Sequence, residues 1–307
     1  MIAIVFPGQG SQKPGMGKEL VEASPEARDV FRRVSDAVGF DVEKLCFESD
    51  EETLRQTQNA QIALFACGVA AYRALEARLP DQRVGAMAGH SIGEYPALVA
   101  AGVFTLEEGA RLVRTRGDLM ARSGQERPGT MAAVLGLERD LLEEACREVE
   151  GIAVIANDNC PGQLVISGEV EAVRLAGLAA QAKGAKRVLP LNVSGAFHSP
   201  LMEVPAREMG VALRQATVSP ATAKVYSNVT SEAVEDVASI PALLERQLSS
   251  PVRWTESVQH MIRDGVDTFI ECGTGEVLCG LIRRTDKSVR TMAVQDLASL
   301  EAVATGG

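Results

Sequence analysis

Histidine is scarce in this chain, with three among 307 residues, and its six cysteines include no Cys-x-x-Cys pair and no repeated spacing. That set offers too few imidazoles and paired thiolates for a zinc site. The cysteines at 46, 67, 146, 160, 272 and 279 read as reduced, mostly buried thiols of a cytoplasmic protein. Basic residues are in deficit too: 31 lysines and arginines against 41 aspartates and glutamates leave a net charge of -10. This balance opposes nucleic-acid binding, which needs a basic face. No uninterrupted apolar run is long enough to cross a membrane. The opening MIAIVFPGQG reads as a first strand rather than a signal peptide. Its FPGQGSQ loop lacks the third glycine and acidic partner of a dinucleotide loop, and the Gly-Lys-Ser/Thr of a P-loop.

What is present is an alternation of short apolar runs with longer amphipathic ones, the pattern of an α/β fold with a largely parallel sheet. Strands are expected at Ile2–Phe6, Val84–Ala88, Lys224–Tyr226 and Thr268–Glu271, and helices over 60–79, 106–120, 200–213 and 254–264. A polar, turn-rich break is expected at 123–129. From Met131 to Leu191 the pattern parses as βαββαβ, the ferredoxin-like arrangement. The expected organisation is therefore a large α/β domain of residues 1–123 and 195–307, with residues 124–194 inserted as a small subdomain.

The chemistry concentrates in MAGHSIGEYP, residues 87–96. Here Gly89-His90-Ser91-Ile92-Gly93 follows an apolar strand and precedes a run of helix formers, the context of a nucleophile elbow. A serine hydroxyl needs a base to take its proton. His90 is adjacent on a turn where neighbouring side chains diverge, and His260 lies among helical residues. His198, in the SGAFHSPLM loop, is by elimination the best base. No aspartate stands out as a third member, and Asp267 comes in the wrong chain order, so a Ser91–His198 dyad is expected. FPGQGSQ could supply a second oxyanion donor. Arg116, in RTRGDLM, is either part of a solvated helix face or a guanidinium turned inward for a carboxylate, and its spacing leaves both readings open.

Taken together, FPGQGSQ (6–12), GHSIGEYPAL (89–98), RTRGDLM (114–120), NDNCPGQLVISG (157–168), SGAFHSPLM (194–202), YSNVT (226–230), QLSSPVRW (247–254) and ECGTGEVLCGL (271–281) resemble one family. It comprises the malonyl-CoA:acyl carrier protein transacylases and the acyltransferase domains of polyketide synthases. The resemblance runs along almost the whole chain in the family's order.

It implies an α/β-hydrolase-like domain with a ferredoxin-like insertion. It also implies transfer of malonyl from malonyl-CoA to the phosphopantetheine thiol of acyl carrier protein, supplying fatty-acid elongation. By this resemblance Ser91 is the nucleophile, His198 the base, Gln9 and Ile92 the backbone oxyanion donors, and Arg116 the partner of the malonyl carboxylate. Gln247 would orient the histidine through its carbonyl, and Gln163 would lie near the substrate. No metal or cofactor is implied, and the expected protein is a cytoplasmic monomer. GHSIG and the AFH triplet are similar to malonyl-selecting members. Docking an acidic carrier protein on an acidic chain calls for a local basic patch, with Lys183, Lys186, Arg187, Arg283 and Arg284 as candidates. A serine esterase or thioesterase, and a non-catalytic carrier-binding module, are the rival readings.

Overall fold

The structure, a computed structural model, describes residues 1–306. Its ten strands are β1 (Ile2–Phe6), β2 (Val84–Gly89), β3 (Thr130–Leu135), β4 (Ala153–Cys160), β5 (Gln163–Gly168), β6 (Arg187–Pro190), β7 (Lys224–Val225), β8 (Val252–Arg253), β9 (Thr268–Cys272) and β10 (Arg290–Val294). They form two five-stranded sheets. The first, ordered β10–β9–β1–β2–β7, is parallel throughout, as the alternating rhythm of the sequence implied. Its central strand is apolar on both faces because both are covered. Ile4 and Phe6 enter one core with the buried helix Thr57–Arg78, while Ala3 and Val5 enter another with Trp254, Val258 and Phe269.

The second sheet runs β6–β3–β5–β4–β8. Its first four strands are antiparallel, and the helices Arg139–Arg147 and Val170–Ala182 pack with them around Leu142, Ile166 and Ala176. This is the split βαβ order. The strand β8, from far along the chain, joins its edge in parallel with β4.

The turn-rich break expected at residue 123 is displaced. The helix Leu106–Glu126 continues through it, so the boundary between residues 123 and 124 falls inside a helix. Ser123 is buried there, and Gly124 lies so close to Ser194 that a side chain would not fit, which explains the small residues without a turn. The expected helix over 200–213 begins as a short 3₁₀ turn, Pro200–Met202, before Glu203–Gln215. No helix among the described residues is long and apolar enough to cross a membrane.

Candidate active site

The site forms where β1 and β2 end, the usual place for a ligand crevice in a parallel sheet. The His90 N–H donates to the Phe6 carbonyl at 3.0 Å, tying the two loops together. The chain then turns sharply through the 3₁₀ segment Ser91–Gly93 into the helix Glu94–Ala100. A Cβ on Gly89 would stand 1.9 Å from the Gly93 carbonyl oxygen, and one on Gly93 2.1 Å from that of Phe6. Both glycines are there because backbone passes against backbone. Ser91 takes φ 52° at the tip.

From that position the Ser91 Oγ meets His198 Nε2 at 2.8 Å. His198 also holds a positive φ, 58°, and its ring is anchored on the far side: Nδ1 lies 2.8 Å from the Gln247 carbonyl oxygen. A carbonyl can only accept, so Nδ1 carries the proton and Nε2 is left as the acceptor for the serine hydroxyl. Burial, with the Arg116 charge adding to it, holds the imidazole down to about 3, so the ring is neutral at physiological pH. A serine hydroxyl, a neutral imidazole and a carbonyl that fixes the ring are thus assembled without a carboxylate.

Arg116, on the inward face of the helix Leu106–Glu126, is 1% exposed. Its Nη1 donates to Gln61 Oε1 at 2.7 Å, and its Nη2 to Ser91 Oγ at 3.0 Å and Gln247 Oε1 at 2.9 Å. These three acceptors are neutral, so the guanidinium is buried without a carboxylate directly on it. Such a charge is a receptor for an anion. Arg114, two residues away, instead pairs with Asp118 at the surface. Burial decides what spacing left open.

A cleft of about 310 Å³ opens on these groups, lined by Gln9, Ser91, Ile92, Arg116 and His198 from the larger part of the chain. Met131 of β3 and Asn157 of β4 close it from the second sheet. Gln163 is not brought in. It begins β5, is not among the residues lining the cleft, and accepts from Arg284 Nη1 at 2.5 Å.

His90 does diverge from Ser91, with Nε2 on Asn159 Oδ1 at 2.8 Å and its ring beside Trp254. His260 lies on an outer helix, its Nδ1 2.9 Å from the Ser231 carbonyl oxygen. Among the basic candidates for docking, Lys183 is held by Glu144 and Glu148, and Arg283 donates to Thr291.

Three residues that matter here were not singled out from the sequence. Asn228 Oδ1 accepts from the Ser91 N–H, and its Nδ2 donates to the Gly89 carbonyl, both at 2.7 Å. Glu94 accepts from Gln247 and from the Asn228 backbone, and Gln61 holds Arg116. Asn228 and Glu94 lie inside the YSNVT and GHSIGEYPAL segments, but nothing in those segments states which backbone groups need bracing.

The sequence matches the model of the acyl transferase domain family over residues 3–303. The malonyl CoA-acyl carrier protein transacylase of Bacillus subtilis is 42% identical over 98% of this chain and 95% of its own length. That of Haemophilus influenzae is 41% identical over 98% and 97%. In structure, a malonyl-transacylase solved with a type II polyketide synthase acyl-carrier protein superposes with TM-score 0.96 at 40% identity, over 100% of this chain and 99% of that one. The acyl carrier protein S-malonyltransferase of Vibrio cholerae gives 0.94 at 41% identity, over 98% and 99%. Alike along nearly its whole length in both sequence and fold, the chain belongs to the acyl transferase domain family.

Proposed function

We propose that this protein is a malonyl-CoA:acyl carrier protein S-malonyltransferase that works through a malonyl ester on Ser91. The observation that carries the reading is the convergence on one oxygen: Ser91 Oγ touches a neutral imidazole at 2.8 Å and a buried guanidinium at 3.0 Å. In malonyl-CoA a single methylene separates the thioester carbon from the carboxylate. A carboxylate on Arg116 therefore brings the thioester carbon to the serine. Relatives named as malonyl transacylases, and a neighbour solved with its carrier protein, support the same substrates.

Ser91 Oγ attacks the thioester carbon while His198 Nε2 takes its proton. The oxyanion is received by backbone N–H groups of the two loops, for which Gln9 and Ile92 are the candidates. Collapse expels the CoA sulfur, which leaves with the proton from His198. The phosphopantetheine thiol of the carrier protein then attacks the ester, gives its proton to His198, and Ser91 leaves with that proton. Thioester, ester and thioester are at one oxidation level, so the cycle calls for no redox or metal cofactor. With six free, buried cysteines, we place it in the cytoplasm, and we take the working unit to be a monomer.

The test is the intact mass of the protein after brief exposure to malonyl-CoA, acetyl-CoA and methylmalonyl-CoA in competition. A single malonyl adduct that is discharged by holo-acyl carrier protein and absent in Ser91→Ala is expected. Steady release of CoA to water with no adduct would make the protein a thioesterase and overturn the reading.

A further inference from the structure

The catalytic arrangement leaves unused a buried acid that lies beside the elbow. Glu94 opens the helix that follows the elbow, is 3% exposed, and does not line the cleft. Its Oε2 accepts from Gln247 Nε2 at 2.7 Å and from the Asn228 N–H at 3.1 Å. Each of those residues serves the site in turn. Asn228 braces the elbow at Ser91 N and Gly89 O. Gln247 presents its backbone carbonyl to His198 and its Oε1 to Arg116.

A carboxamide has two orientations. With Nε2 towards Glu94 and the Ser91 carbonyl, which it also reaches at 3.0 Å, Gln247 turns its oxygen to Arg116 Nη2. Flipped, it would set NH₂ against guanidinium, donor against donor, and its oxygen against two acceptors. Glu94 supplies the nearer of the two acceptors that bias this choice, and Arg116 has no carboxylate of its own to fix its fork.

We propose that Glu94 is a positioning residue for acyl-group selection: its Oε2 locks the Gln247 carboxamide so that Arg116 is held at Ser91, ready for a carboxylate. The inference rests on the malonyl-transfer reading above. What matters is the place of the acceptor oxygen. Burial pushes the Glu94 carboxyl up to about 7, so near neutrality it exists in both protonation states. A proton on Oε1 leaves Oε2 accepting, an arrangement that a glutamine reproduces.

Two variants separate position from charge. Glu94→Gln keeps an acceptor oxygen in place and removes the charge. Glu94→Asp keeps the charge and withdraws the oxygen by one C–C bond, about 1.5 Å. Single-turnover acylation of Ser91 by malonyl-CoA and by acetyl-CoA is read by intact mass. Glu94→Asp is expected to lower the malonyl-to-acetyl preference about tenfold, the loss of one good hydrogen bond to a charged network. Glu94→Gln should keep the preference within about threefold of wild type, a smaller change than one such bond supplies. A role confined to folding would slow both acyl groups together and leave their ratio unmoved. Wild-type preference in both variants, equal loss in both, or loss in the glutamine variant alone would each overturn the positioning role. Absence of a malonyl adduct on the wild-type enzyme would instead overturn the function on which the inference rests.

Discussion

Ser91 and His198 are two of the three non-glycine residues with positive φ among those described, at 52° and 58°, the third being Ser231. Such conformations cost about 1–3 kcal/mol each and persist only where the surroundings over-determine them. At Ser91 the constraint is Asn228, which receives the serine N–H and donates to the Gly89 carbonyl. Asn228→Ala leaves both backbone groups without that partner, at about 1–3 kcal/mol apiece. Thermal melting and Ser91 acylation should both suffer. Asn228→Asp should be no better, because it sets a carboxylate oxygen against the Gly89 carbonyl. An aspartate variant that acylates at the wild-type rate would remove the brace. At His198 the expected sign is equally definite. A base must be neutral to accept, and a folded-state value held down near 3 keeps it neutral far into acid. The rate of acylation should therefore show no acid limb between about pH 5 and 7, where an ordinary histidine would titrate. A limb near the usual histidine value would mean that the ring sees more water and less of Arg116 than this geometry gives it.

At the scale of elements, the elbow depends on two glycines more than on any side chain. Gly93→Ala would place a Cβ 2.1 Å from the Phe6 carbonyl oxygen, which belongs to the central strand of the sheet and cannot yield. A loss of about 3 kcal/mol or more is expected in denaturant titration, the range reserved for strain and core disruption. Acylation should fall with it, since the turn cannot close. The elements that define this region were legible because they are periodic and punctuated. β2 is an apolar run stopped by glycine, and β3 to β6 alternate with two amphipathic helices. Other elements gave no such signal. β8 is two residues long and exists only because β4 offers an edge. β10 is an edge strand with mostly half-buried residues, so its RTMAV lacks a clear alternation. The helix Leu106–Glu126 hid its end because small residues at 123 and 124 resemble a turn but answer a packing need. The same limit applies at the site. That Ser91 and His198 would pair was readable from residue type and context. Asn228 and Glu94 act on backbone and carboxamide groups distant in sequence, and only the fold brings these together.

On the scale of the whole molecule, an acidic chain keeps two carboxyls buried, and both are pushed up to about 7: Glu94 beside the elbow and Glu271 at the end of β9. Glu271 shows the consequence more cleanly, since it lies outside the catalytic cleft. Its side chain is fully buried, with Oε2 accepting the Cys279 N–H at 2.8 Å and Oε1 without a partner. Desolvation therefore dominates its titration. The unfolded chain titrates this group near the ordinary glutamate value, about 4.3, and the folded chain near 7. Between those values the folded state holds the extra proton, so stability from this group is complete below the unfolded value and is lost as pH rises through 7. For a single site the linkage slope is about 1.4 kcal/mol per pH unit where the two states differ by one proton. Between pH 6 and 8 the wild type should thus lose roughly 1.4 kcal/mol through Glu271, since part of the titration lies outside that window. Glu271→Gln keeps an oxygen for Cys279 and cannot titrate. The stability difference, wild type minus variant, should therefore shrink by that amount from pH 6 to pH 8 in urea titrations. A difference that stays constant across this range would show that Glu271 does not titrate between pH 6 and 8, and would overturn the value near 7 that its burial gives it.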